Sequence, residues 1–105
     1  MDTKTSPLAL LNDPSLLKTD ALINGQWVKG STRFDVHDPA TGLKLADVAN
    51  LGPKEAEVAI DAANAAWGAW RNKTGKERSI LLRKWFDLLM AHQDDLARLM
   101  TAEQG

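Results

Sequence analysis

TGKERSILLRKWFDLLMAHQDDLARLMTAEQG, residues 74–105, is the longest apolar-periodic run of the chain, and it decides the fold. Thr74 and Glu77 stand at the T-x-x-E spacing of a capping box, in which the Thr hydroxyl accepts from the amide three residues on and the Glu carboxylate reaches back. From Ile80 the apolar residues recur at intervals of three and four, with Leu81, Trp85, Leu88 and Leu89 on one stripe and Leu82, Phe86 and Met90 beside it. That arc is wider than a helix lying on a single core requires, so the helix either packs in a crowded core or faces a second partner. The pattern pauses at His92-Gln93-Asp94-Asp95 and resumes with Leu96, Leu99 and Met100. Asp94 or Asp95 is expected to cap a new start there, giving a break and then a shorter helix.

Upstream, Gly52-Pro53-Lys54-Glu55 opens another helix. Pro53 suits the first helical position, where its missing N–H would have no partner anyway, and Glu55 sits against the positive end of the helix dipole. Ala56, Ile60, Ala63, Trp67 and Trp70 form the stripe expected to be buried, and Gly68 and residues 72–75 end the helix. Before it come strands. Asn24-Gly25 between Leu22-Ile23 and Trp27-Val28 is a hairpin signal, because both central residues of the tight turn need positive φ. Phe34 and Val36 alternate with Asp35 and His37, Asp38-Pro39-Ala40-Thr41-Gly42 is a turn, and Leu43 to Ala49 returns as a strand. The first half therefore predicts a small antiparallel meander, and the whole an α+β arrangement of small antiparallel strands followed by three helices. Residues 1–20 form an arm, with a short helical start at Ser15 to Lys18, that needs a surface to lie against.

With 105 residues, 44% hydrophobic and 26% charged, the composition is that of one ordinary globular domain. A net charge of −1 gives the molecule no electrostatic case for nucleic acid or anionic lipid. The local cluster of Arg71, Lys73, Lys76, Arg78, Arg83 and Lys84 lacks interleaved exposed aromatics and reads as a solvated helix face. The apolar run Leu8 to Leu11 is too short for a signal peptide or a membrane span, and a cytoplasmic setting is expected. Four tryptophans and the broad leucine face are much to bury in so small a body, so part of that surface is expected to be meant for further chain or a partner.

No cysteine occurs, which excludes disulfides, thiolate metal sites and a cysteine nucleophile in these residues. The two histidines, His37 and His92, have no motif-like spacing. Asp94 and Asp95 are adjacent and so point different ways on a helix, which favours capping over a paired acid and base. No dinucleotide fingerprint, P-loop or nucleophile-elbow motif appears. From the residues alone no active site emerges: no catalytic and no cofactor-binding residue is assigned.

Taken in order, ALINGQWV (21–28), DPATG (38–42), AIDAANAAWGAW (59–70) and KERSILLRKWFDLLMAHQDDLARLMTAEQG (76–105) resemble the N-terminal part of an aldehyde dehydrogenase. The WFDLLMAHQDDLARLMTAEQG variant and the LLNDPSLL arm are similar to the succinate-semialdehyde dehydrogenase group, glutarate-semialdehyde enzymes included. The resemblance implies an α/β parent fold of which residues 21–105 are the first part of the cofactor-binding domain. It implies oxidation of an aldehyde to a carboxylic acid with NAD or NADP, through a cysteine thiolate and a glutamate-activated water. Neither group falls on a matching position here, so this chain is expected to be inactive and to bind no cofactor alone. Its implied partners are the remainder of the dehydrogenase and the other subunits of a homo-oligomer. Some relatives bind a monovalent cation between a carbonyl just before the D/N-P-A turn and the acidic residue of E-x-G. Here those positions are Val36, His37 and Glu103, with a third ligand expected beyond Gly105. The alternative is a stand-alone, non-catalytic α+β protein that associates through its Trp/Leu face.

Overall fold

Asn24 and Gly25 both take positive φ, 52° and 73°, and reverse the chain between strands β1 (Ala21–Ile23) and β2 (Gln26–Val28). This is the tight turn that Asn-Gly favours. It is seen in a computed structural model that describes residues 6–105. Strands β3 (Thr32–His37) and β4 (Lys44–Asn50) form a second antiparallel pair, in register from Thr32 opposite Asn50 to Val36 opposite Ala46, with an irregularity between Val36 and His37. The turn joining them follows from its residues. The buried Asp38 carboxylate accepts from the Ala40 amide at 2.8 Å, the Gly42 amide donates to the Asp38 carbonyl at 2.7 Å, and Gly42 takes φ 74°.

The expected single meander is instead two separate two-stranded sheets, because β2 does not pair with β3. Gly30, at φ 72°, diverts the chain between them and lies so close under Leu51 that a Cβ there would overlap the Leu51 Cδ2. The backbone passes beneath the corner that leads into the first long helix instead of folding back on β2.

Helix α1 (Pro53–Arg71) starts with proline as expected, and the Glu55 carboxylate accepts from the Gly52 amide at 3.0 Å. Helix α2 (Gly75–Ala91) starts with the full capping box: the Glu77 amide donates to the Thr74 hydroxyl at 3.1 Å and the Thr74 amide to the Glu77 carboxylate at 2.9 Å. The chain bends at His92, and helix α3 (Gln93–Gln104) follows. Neither Asp94 nor Asp95 caps α3. His92 holds the cap position without a side-chain bond, both aspartates lie in the first turn, and Asp95 has turned to another task.

That task is to hold the arm. The arm makes two short 3₁₀ turns, Pro7–Leu10 and Pro14–Leu16, where one helical start was expected at Ser15 to Lys18. Between them the amides of Asn12 and Asp13 donate to the two oxygens of the Asp95 carboxylate at 2.8 and 2.9 Å, and Arg98 donates to it at 3.0 Å. Asp95 is 2% exposed, the most buried large side chain among the described residues. Further along, Arg33 of β3 ties the end of the arm to the second sheet. Its guanidinium donates to Asp20 at 2.9 Å, to the Thr19 carbonyl at 3.2 Å and to Asp47 at 2.7 Å, and the Ala49 amide also donates to the Thr19 carbonyl.

What is missing is a core. Among the described residues Ala102 is the one buried hydrophobic residue. The stripe expected to be buried on α1 is open instead: Ile60 is 66% and Trp67 53% exposed, Ala56 and Ala63 are exposed, and only Trp70 is half-covered. Every residue from Leu81 to Met90 on α2 is exposed. The reason is geometric. The radius of gyration is 17.3 Å, against about 13 Å for a compact chain of this length. The molecule is a slab of 59 × 34 × 18 Å in which, among the described residues, the first hairpin touches only the alanine face of α1 and the large apolar side chains of α1 and α2 stay largely uncovered.

Two outcomes test this description. Gly30→Ala puts a side chain into the left-handed region and onto Leu51, whereas Gly42→Ala meets nothing within 4 Å and carries the backbone strain alone. The strain is about 1–2 kcal/mol, so both should lower the urea midpoint, Gly30→Ala by more; the reverse order would contradict the packing at Leu51. The second concerns acid. The Asn12 amide, then the Asp13 amide and Arg98, hold the Asp95 carboxyl below the ordinary carboxylate range, with Arg98, Asp13 and His92 the charged and titratable groups around it. A folded-state value lowered in this way stabilises the docked arm fully above the ordinary range and loses that contribution as pH falls through the folded value. Amide exchange at Asn12 and Asp13 should therefore accelerate in acid beyond its intrinsic pH dependence, and an unchanged protection factor across that window would rule the linkage out.

Candidate functional site

Two features of the fold bear on function: the junction where the arm, the second sheet and α3 meet, and the uncovered helical face. At the junction Leu8, Leu17, Lys18 and Thr19 from the arm close over Val36, Leu45, Ala46 and Val48 of the second sheet and Leu99 and Glu103 of α3, around a cavity of about 40 Å³. Gly105 packs on the β3–β4 turn: a Cβ built on it would come within 3.0 Å of the Ala40 amide nitrogen and 3.3 Å of the Pro39 side chain. The D-P-A-T-G turn and the E-Q-G helix end, 60 and more residues apart in sequence, are thus neighbours in space.

Of the three residues singled out for a cation, Val36 and Glu103 line this one cavity. His37 follows Val36 across the strand irregularity, lies opposite Lys44 and is exposed. Among the described residues no group of three or more histidines or carboxylates is placed to hold a metal ion. A cation would therefore depend on the Glu103 carboxylate and on backbone carbonyls near Val36, the donor type that hard monovalent ions accept.

At the starts of α1 and α2 the chain's own carboxylates take the cap amides, Glu55 that of Gly52 and Glu77 that of Thr74.

The second feature is chemically plain. Trp85, Leu88 and Leu89 of α2, with Leu96 of α3 and Leu16 of the arm, line a shallow apolar groove, and Leu82 with Trp70 lines another at the α1–α2 corner. Leu81, Trp85 and Leu88 are 42%, 62% and 59% exposed. The surface of the chain is 8079 Å², whereas a self-contained protein of 11.5 kDa exposes about 5,800 Å². The excess, roughly 2,000 Å², is the size of an obligate interface. Among the described residues no helix is long and apolar enough to cross a membrane.

Two roles escaped the sequence. The Asp95 clamp joins residues 82 and 83 positions apart, and nothing local to D-D-L-A signals it. Arg33 sits in a strand of alternating residues, and its partners Asp20 and Asp47 come from different elements. A buried aspartate in a chain with so few buried groups is visible only once the arm has been placed.

Comparison with known proteins gives these features a context. The model of the aldehyde dehydrogenase family matches residues 27–105. The chain is 55% identical over 97 residues to the succinate-semialdehyde dehydrogenase [NADP(+)] GabD of Escherichia coli K12 and 50% identical to the 3-sulfolactaldehyde dehydrogenase of Pseudomonas putida, in each case over 90% of this chain and 20% of the relative. Among solved structures, an NADP-dependent enzyme of E. coli superposes with a TM-score of 0.87 at 55% identity, and the succinate-semialdehyde dehydrogenase of Burkholderia pseudomallei with 0.87 at 50%, again over 90% of this chain and 20% of theirs. The two strand pairs and three helices match an N-terminal piece of that fold, and the chain spans about a fifth of the length of these relatives. The open slab is therefore the shape that this stretch has within larger solved enzymes. The chain belongs to the aldehyde dehydrogenase family.

Proposed function

We propose that this chain supplies the outer bracing layer of an NADP-dependent semialdehyde dehydrogenase, with succinate semialdehyde as the substrate oxidised to succinate by the whole enzyme. The observation that carries this is the joint agreement in sequence and shape with relatives of that name: 55% identity over 90% of the chain and a TM-score of 0.87. NADP is preferred to NAD because the E. coli relative carries NADP(+) in its name. The 3-sulfolactaldehyde enzyme shares 50% identity over the same stretch, so substrate choice rests on residues outside it. In this reading residues 21–105 brace the cofactor-binding domain, residues 6–20 strap their outer side, and the uncovered face of α1 and α2 packs on the rest of the enzyme, itself an oligomer. A cytoplasmic setting follows the bacterial relatives; the mammalian relatives are named as mitochondrial.

Catalysis by these residues alone is not part of the proposal. The thiolate that the family's resemblance implies has no counterpart here, since the chain has no cysteine. When bound in the whole enzyme, NADP would accept the hydride; the residues of this chain would hold the layer beneath in register. A stand-alone interaction protein is the weaker reading, because among the described residues a single buried hydrophobic residue, Ala102, provides no core.

A chimera tests the proposal. With the aligned stretch of this chain replacing the matching fifth of the E. coli enzyme, NADP-linked oxidation of succinate semialdehyde should persist within about tenfold of the parent, a loss below about 1.4 kcal/mol in the barrier. The 105-residue chain alone should show no turnover. A folded, oligomeric chimera without activity, or turnover by the isolated chain, would each refute it. For the cation we propose Glu103 with the Val36 and His37 carbonyls as ligands. Crystals of the chimera soaked in a rubidium salt should show density beside Glu103 that Glu103→Gln diminishes, and density placed elsewhere would remove the site.

A further inference from the structure

We propose that residues 6–18 are a latched strap, hinged at Thr19 and Asp20, that opens as one unit and controls access to the cavity beside Glu103. The inference stands on the geometry of the junction, apart from any reading of the enzyme's activity.

The strap has two attachments of different kinds. At its far end Thr19 and Asp20 are held by Arg33, and the Thr19 carbonyl also accepts from the Ala49 amide at 2.9 Å. This end is continuous with β1 and acts as the fixed point. In the middle, attachment is concentrated in one side chain: the Asp95 carboxylate takes the amides of Asn12 and Asp13, one on each oxygen. Such charge-assisted bonds are short, directional and stronger than neutral ones, so they hold one geometry or are lost together.

Apolar contact along the strap is partial: Leu8, Leu11 and Leu16 are half-buried and the first 3₁₀ turn lies on α3, but Leu10 is 60% and Leu17 37% exposed and none of the residues in either 3₁₀ turn is fully buried. A segment with few buried apolar contacts and one polar latch falls at the low-stability end of a structure and opens locally without global unfolding. When it lifts, Leu8, Leu17 and Lys18 leave the cavity wall, while Val36, Leu45, Leu99 and Glu103 remain on the rigid side. Arg98 keeps the latch charged and in place from the same helix, one turn on, at 3.0 Å.

The chain contains no cysteine, so a single introduced thiol reports on the cavity without background. Leu45→Cys places it in the fixed wall. In the full chain its labelling by N-ethylmaleimide is compared with and without Asp95→Asn, which removes the charge but keeps the size. Amide exchange is followed alongside. The expected result is at least a tenfold faster labelling and exchange at Asn12 and Asp13 with Asp95→Asn, with the β3–β4 ladder amides unchanged. Arg98→Met should give a smaller rise of the same pattern. Equal labelling with and without Asp95→Asn, or a rise spread evenly over the arm and the β3–β4 ladder, would overturn the proposal. A measurement on the unsubstituted protein guards against a variant that fails to fold. In increasing urea the arm amides should converge on one opening separate from that of β3–β4, and a single shared opening would likewise overturn it.

Discussion

One carboxylate does for this chain what a hydrophobic core does for most. Asp95 gathers two backbone amides from the arm and a guanidinium from its own helix, and is shut away from solvent by them. Around it the apolar contribution is slight: among the described residues one hydrophobic residue, Ala102, is buried. Arg33 repeats the device at the other end of the arm, joining Thr19, Asp20 and Asp47 and holding the Asp47 carboxyl below its ordinary range. Polar staples fix geometry because they are directional, but they contribute little net free energy each. A chain held this way has a defined shape and a small margin of stability, as expected of a layer whose apolar faces are covered by another body.

The parts of the fold that depend on local chemistry were legible in the residues. Asn24-Gly25 announced the first hairpin, the D-P-A-T-G turn the second, Pro53 the start of α1 and Thr74 with Glu77 the start of α2. Each is decided within a few residues by backbone preference and by the need to satisfy free amides. The bend at His92 was legible for the same reason, as a lapse in apolar period. What depended on distant chain was not. Two hairpins were read as one meander because Gly30's contact with Leu51 lies across the fold. Asp95 was read as a helix cap because its true partners lie more than 80 positions away.

The helical stripes show the same limit from the other side. Ile60, Trp67 and Trp85 have the spacing of a buried face, and for Ile60 and Trp67 that spacing predicts burial that the described residues do not provide. Periodicity states that a face needs a partner and is silent on which chain provides it. In the structure these side chains are 66%, 53% and 62% exposed, so the demand stands unmet among the described residues. Family membership accounts for it: the relatives that share this slab are about five times its length. The candidate cation residues were legible only through the family likeness. The cavity shared by Val36 and Glu103 brings two of them to one place, while His37 turns outward.

The thinness of the slab has a chemical meaning of its own. At 18 Å across, the described residues keep most side chains in touch with bulk water, with Asp38, Asp95 and Ala102 as the buried exceptions. A medium so well screened cannot move a proton affinity far by burial, and poising an acid, base or nucleophile near neutrality takes a dry, low-permittivity setting. Such a setting can arise beside these residues only where a further layer covers them.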